Sequence, residues 1–293
     1  MEIKYELTNE TIKENGVTLH RIRALKNFGT MEIGDLGGFI ESENNLSHYG
    51  NCWVYYNAKV YGNAQIYDNA KVYDSAKVYG KAKVYNNAEI YGKAKVYNNA
   101  DVHGNCHICG NARVYNYARI FGKAKVCDYS KVYGTAIVCN YSKVYANAQI
   151  YDNAKVYDSA IIRGNAEIYG NAQICNNSII YGNANIDGNV KIYDSVRVFD
   201  NAEIYGNTVI RGRTEITKSI SDSNAYISIG PIGSRNDFTT FIKTKENTIH
   251  VNCGCFSGSI DEFKDKVIEV HGGNKHARNY LDICKFVEIK FNL

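Results

Sequence analysis

Cys106-His107-Ile108-Cys109, with His103 just before it, is the densest cluster of reactive side chains in the sequence. Imidazole is a common general base for acyl transfer, provided it reaches the hydroxyl or amine it activates. His107, Cys109 and Cys127 are also three nitrogen and sulfur donors of the kind that hold zinc, with no fourth ligand in view. A second constellation is larger. Cations recur at Lys59, Lys77, Lys95, Arg113 and Lys131, and two residues after each stands a phenol: Tyr61, Tyr79, Tyr97, Tyr115 and Tyr133. Aromatics interleaved with cations suit single-stranded nucleic acid, and Tyr with Arg is the chemistry of protein-interface hot spots. A third candidate, Cys253-Gly254-Cys255, reads as two thiols on one face of a strand. It lacks a second Cys/His pair at zinc-finger spacing and is taken as structural.

What must position these groups is a six-residue repeat. From Val54 to Ile216 a Val or Ile falls at every sixth position, 28 times without an insertion, and two residues earlier sits a small residue, usually Ala. The unit is Ala-x-Val-Tyr-Gly-Asn, as in Ala58-Lys59-Val60-Tyr61-Gly62-Asn63. A fixed short period marks a solenoid. Side chains alternate across a strand, so the small and aliphatic residues face inward while the residues beside the aliphatic face outward. Gly, Asn and Asp turn the corner, because they tolerate positive φ. Three hexads close one coil of 18 residues, about nine coils in all, with rungs roughly 4.8 Å apart. On this frame Cys106 is core, His103 and His107 are outward, and Cys127 stacks on Cys109. The Lys/Arg and Tyr positions line up as two ladders on one face. Stacked phenols also serve simply to hold coils together, but five like charges in line favour a partner that neutralises them.

Charge is unevenly placed. Residues 51–132 carry 12 basic and 5 acidic side chains, residues 133–218 carry 8 of each, and residues 1–50 carry 5 basic and 8 acidic. The expected organisation is a β-rich N-terminal cap over 1–50, a hexapeptide-repeat β-helix over 51–220 and a C-terminal α+β module over 226–293. The cap reads as strands Ile3–Leu7 and Val17–Leu25 around Asn15-Gly16, followed by the Gly-rich stretch 34–39. In the module, Gly230-Pro231-Ile232-Gly233 reads as a boundary. A hairpin follows (Thr239–Lys243 with Ile249–Cys253), then a helix capped by Ser259 with Glu262, and a second helix from Lys275 towards Val287. No run is long and apolar enough for a membrane span, and the cysteines show no small-domain disulfide pattern. A cytoplasmic protein with reduced thiols is expected.

Asp35-Leu36-Gly37-Gly38-Phe39-Ile40-Glu41, Asn44-Asn45-Leu46-Ser47 and Asn51-Cys52-Trp53-Val54-Tyr55 resemble the start of a family of bacterial and prophage hexapeptide-repeat proteins. Some of these are labelled transferases by analogy. Gly233-Ser234-Arg235-Asn236-Asp237, Cys253-Gly254-Cys255-Phe256 and His271-Gly272 resemble a module of its phage-encoded members. The resemblance implies a left-handed parallel β-helix; period alone does not give the hand. It brings no catalytic residues and no cofactor. Hexapeptide acyltransferases use a histidine, often beside a loop extruded from the coil, and here no loop interrupts the repeat. The expectation is therefore a non-enzymatic scaffold that engages a host protein complex or nucleic acid, including inhibition of a host defence complex, as a monomer, homo-dimer or homo-trimer. The alternatives are a hexapeptide-type acyltransferase and a self-assembling structural β-solenoid.

Overall fold

Each hexad yields one two-residue strand, from Trp53–Val54 to Glu215–Ile216, in a computed structural model that describes residues 2–212, 214–220, 225–244 and 246–293. The strands are short because every third residue pair must turn a corner. There Asp68, Asn86, Asn98 and Asp128 take φ of 56–61°, a left-handed conformation that Asn and Asp adopt at little cost. The chain divides into two compact units, Met1–Ser159 and Ala160–Leu293.

In the first unit the hexad strands form three parallel sheets, each pairing a residue with the one 18 positions on. Val60, Val78, Val96, Val114 and Val132 make one inner column, in register and fully buried. The Ala positions are equally buried, and Cys106 takes one of them. The coil begins earlier than the period does. Strand β3 (Leu36–Ile40) pairs in parallel with Lys59–Val60, and Leu46 bridges Ile66. The Gly-rich stretch has a packing reason here. A Cβ on Gly38 would lie 2.6 Å from the Ala58 carbonyl oxygen, so the backbones meet only because it is glycine.

Ahead of β3, strands β1 (Tyr5–Glu14) and β2 (Val17–Ala24) form an antiparallel hairpin. Its turn is Asn15-Gly16, with φ of 50° and 83°, as the Asn-Gly dipeptide predicts. At its base Lys4 is fully buried, with Nζ donating to the Cys52 carbonyl at 2.9 Å. Tyr5 donates its hydroxyl to the Leu46 carbonyl at 2.7 Å, and Trp53 packs edge-on to Tyr5 and Phe28. The first coil thus has a polar and aromatic plug rather than an open end.

In the second unit the hexads continue in three parallel sheets, for example Ile161–Ile162 with Ile179–Ile180 and Arg197–Val198 with Glu215–Ile216. A four-stranded antiparallel sheet follows, of Tyr226–Ile232, Asp237–Lys243, Ile249–Cys253 and Phe256–Ser259. Helices α1 (Ile260–His271) and α2 (Lys275–Phe291) pack on it through Phe263, Val267, Tyr280 and Cys284 against Phe241 and Val251. Ser259 and Glu262 form the predicted capping box. Gly230-Pro231 does not mark a boundary as expected. It lies inside the strand Tyr226–Ile232, at a register shift on the sheet's edge, where a proline costs no ladder hydrogen bond. Among the described residues no helix is long and apolar enough to cross a membrane.

Candidate interaction face

The Tyr/Lys face forms as the repeat predicts. Lys59, Lys77, Lys95, Arg113 and Lys131 pair in register along one sheet. Beside them Tyr61, Tyr79, Tyr97, Tyr115 and Tyr133 stack with ring centroids 4.8–5.0 Å apart and planes within 2–4°. Burial raises the phenol pKa of Tyr61, Tyr79 and Tyr115, and pushes Tyr97 up to about 12. The phenols therefore stay neutral across the physiological range, and the charge of the face comes from its cations alone.

Two features differ from the sequence expectation. First, the rings use their π-faces on each other. A gap of under 5 Å between parallel rings admits no base, so the ladder offers a ligand ring edges and hydroxyls, not the open stacking platforms that single-stranded nucleic acid requires. Second, the strip is not five rungs of free charge. The β1–β2 hairpin lies over its first two rungs: Ile12, Val17 and Leu19 pack with Tyr61 and Tyr79, and Asn15 Nδ2 donates to the Tyr61 hydroxyl at 3.3 Å. Glu14, 12% exposed, sets one carboxylate oxygen on Lys59 Nζ at 2.6 Å and the other on Lys77 Nζ. Only Lys95, Arg113 and Lys131 are left without an ion pair among the described residues.

Glu14 reports on this contact by titration. Its burial works against the charged form, but hydrogen bonds and charge from Lys59 and Lys77 outweigh it, and the carboxyl pKa is lowered overall. A depressed folded-state pKa gives stability that is present above the ordinary carboxylate range and lost as pH falls through the folded value. Amide protection factors in β1 and β2, taken relative to the intrinsic exchange rate at each pH, are accordingly expected to fall on acidification below about pH 4. Glu14→Gln should exchange faster at neutral pH and lose that pH dependence. A wild-type hairpin whose protection ignores pH in this window would contradict the bridging carboxylate.

The catalytic and metal candidates are absorbed into the ladders. His103 stacks between Tyr85 and Phe121, with centroids at 4.7 and 5.2 Å, and its Nδ1 lies 3.2 Å from an Asp101 oxygen. His107 lies 3.4 Å from a Glu89 carboxylate oxygen and edge-on to Tyr91. Neither imidazole lines the cavity near Arg197 and Asn252 described below. The zinc reading of His107, Cys109 and Cys127 is corrected: Cys109 and Cys127 are joined as a disulfide, their Cα atoms 4.5 Å apart on adjacent rungs. A rung spacing suits a disulfide, and oxidised sulfurs are not thiolate ligands. Among the described residues no group of three or more His, Cys, Asp or Glu converges as a metal site. The expectation of reduced thiols fails for this pair. Reduction is expected to lower stability by up to about 3 kcal/mol, the loop-closure value for a loop of this order. Cys109→Ser should abolish the effect of dithiothreitol on the melting temperature; an unchanged response would show that the bond does not form.

Cys253 and Cys255 do not share a strand face. Cys253 ends its strand, Gly254 turns with φ of 61°, and Cys255 is exposed in the turn. Cys253 Sγ accepts from Thr239 Oγ1 at 3.1 Å, while Arg235 lies 3.9 Å from Cys255 Sγ. The second unit also holds an open cavity of about 550 Å³ that no motif announces, lined by Arg197, Glu215, Asp237, Asn252, Cys255 and Ser257. Arg197 pairs with Glu215 at 3.2 Å, and Asn252 donates to the Glu215 carbonyl. His250 lies 3.0 Å from Ser257 Oγ, and burial holds its imidazole pKa down. The cavity's polar groups are mostly satisfied by one another.

These coils, strands and ladders define a hexapeptide-repeat β-solenoid of the left-handed β-helix class. The repeat family described as YdcK Beta solenoid repeat matches residues 64–80 and 148–164. Among solved structures, LpxA, a UDP-N-acetylglucosamine acyltransferase from Bacteroides fragilis 9343, is similar at 17% identity over 87% of this chain and 94% of that one, with a TM-score of 0.28. No residue role is carried over from it. No curated protein matches the chain.

Proposed function

We propose that this protein is a non-enzymatic scaffold whose Tyr/Lys face binds an anionic macromolecular partner, with Lys95, Arg113 and Lys131 as its contact cations. The observation that carries this reading is the pairing of the first two rungs. Lys59 and Lys77 are already neutralised by a carboxylate seated on the ladder, whereas the next three cations stand stacked and unpaired. The phage association implied by the N- and C-terminal motifs suits a host macromolecule as that partner, a defence complex included, met in the host cytoplasm. The acyltransferase alternative needs an accessible base, and His103 and His107 are both held within ladders.

Two measurements test the proposal. Partners co-purifying with the intact chain at low salt should be lost when Lys95, Arg113 and Lys131 are changed together to Glu. They should be retained when Lys125 and Lys143, paired in register on another sheet, are changed likewise. Saturating acetyl-CoA should leave the melting temperature unchanged, because a ligand raises it only by binding the folded state. A rise that disappears in His103→Ala or His107→Ala would replace the scaffold reading with the enzymatic one.

A further inference from the structure

The hairpin that covers the first two rungs shows what kind of ligand the ladder accepts. On β1, Ile12 and Glu14 are two residues apart and therefore share a face. Ile12 packs with the group at Tyr61 and Tyr79, and Glu14 bridges Lys59 and Lys77. One carboxylate thus spans two rungs while its apolar neighbour joins the cluster of Leu19, Phe39 and Tyr61 beside them. Lys95, Arg113 and Lys131, with Tyr97, Tyr115 and Tyr133, repeat the same surface in register immediately beyond the hairpin.

We propose that these rungs are a docking strip for an extended acidic segment of a partner protein, in which apolar residues and Glu or Asp follow one another at every second position, and so on one face, as Glu14 follows Ile12. This rests on the reading of the ladder as an interaction face and names the partner's chemistry. A protein segment is favoured over nucleic acid because the ring faces are consumed by self-stacking, leaving ring edges at 4.8–4.9 Å spacing. Those edges suit aliphatic side chains. The cations suit discrete carboxylates: Arg113 presents a planar fork that a carboxylate can meet with both oxygens, which a lysine cannot offer. The N-terminal residues 1–50, with 8 acidic against 5 basic side chains, already provide one such segment for the basic solenoid.

The test uses the full chain and three probes: a blocked (Val-Ser-Glu-Ser)3 peptide, which sets Val and Glu on one face of an extended segment, a blocked (Ser-Ser-Glu-Ser)3 peptide of equal charge, and a ten-residue oligothymidylate. At low salt (Val-Ser-Glu-Ser)3 should bind most tightly, with (Ser-Ser-Glu-Ser)3 and the oligonucleotide each weaker by about tenfold, or about 1.4 kcal/mol. Water-soluble carbodiimide should join a peptide carboxylate to Lys95 or Lys131 as an amide, with loss of water, and peptide mapping should place the link there. Changing Lys95, Arg113 and Lys131 to Glu should remove both binding and link, with an unchanged circular dichroism spectrum and melting temperature. Absence of (Val-Ser-Glu-Ser)3 binding, or a link confined to other lysines, would overturn the docking strip. Oligonucleotide binding that is lost in the triple variant, without peptide binding, would overturn the acidic-segment proposal while leaving the ladder as the interaction face. Neither probe binding, with co-purified partners kept by the triple variant, would remove both.

Discussion

Val96→Asp is expected to destabilise the first unit by several kcal/mol, and Tyr97→Asp by far less. The two residues are sequence neighbours on opposite faces of one strand. Val96 is fully buried between Val78 and Val114 in its column. An aspartate there has no partner and must either pay the desolvation of a buried charge or take up a proton. Tyr97 is half-buried and makes two stacking contacts, at 4.8 Å to Tyr79 and to Tyr115. Removing both costs roughly 1–3 kcal/mol at the usual worth of an aromatic pair. The pH responses should also part. The Val96→Asp carboxyl, its pKa raised by burial, is destabilising above its unfolded value and recovers part of the loss as pH falls. Denaturant melts of the two variants at neutral and acid pH measure this. Equal losses at Val96 and Tyr97 would mean that the inside and outside of the coil are wrongly assigned.

The reason so much of the solenoid could be read from sequence is that its core is one-dimensional. A hexad sees the hexads 18 residues before and after it, so side-chain size at one position and turn chemistry at another settle the strand, the corner and the column. The same locality made Ser259 with Glu262 and Asn15-Gly16 legible, since a cap and a two-residue turn are decided within a few residues. What stayed hidden was non-local. Nothing in the period says where a non-repeating segment will lie, and the seating of Glu14 on Lys59 and Lys77 is such a contact. Its only trace in sequence was the opposed charge of residues 1–50 and 51–132. The Cys109–Cys127 rung was placed correctly but given the wrong chemistry, because two cysteines a rung apart suit a disulfide as well as a metal. Pro231 and Gly254 misled for a related reason. Pro231 was judged as local punctuation and Gly254 as strand interior, whereas the antiparallel sheet puts Pro231 on an edge strand and makes Gly254 the turn that separates Cys253 from Cys255. The cavity near Arg197 and Asn252 draws its lining from strands more than 50 residues apart, which no motif could signal.

Reversing Lys95, Arg113 and Lys131 together is expected to cost an anionic partner between about 30-fold and 20,000-fold in affinity at low salt. Each cation is exposed or half-buried, so a pair with a partner carboxylate or phosphate is worth about 0.3–1 kcal/mol. Glu at the same place turns attraction into repulsion of similar size. Three such sites give about 2–6 kcal/mol, which converts to that range. The loss should shrink as salt rises, because a Debye length of about 8 Å at physiological ionic strength screens exposed charges. Tyr97→Phe, Tyr115→Phe and Tyr133→Phe form the matched comparison. They keep the stacked rings and remove the hydroxyls. That triple should weaken binding by tenfold or less and leave its salt slope unchanged, since no charge is altered. Titrations at two salt concentrations separate the contributions. If charge reversal leaves both affinity and slope untouched in a folded protein, the ladder serves only to hold the coils together, and recognition belongs to another surface.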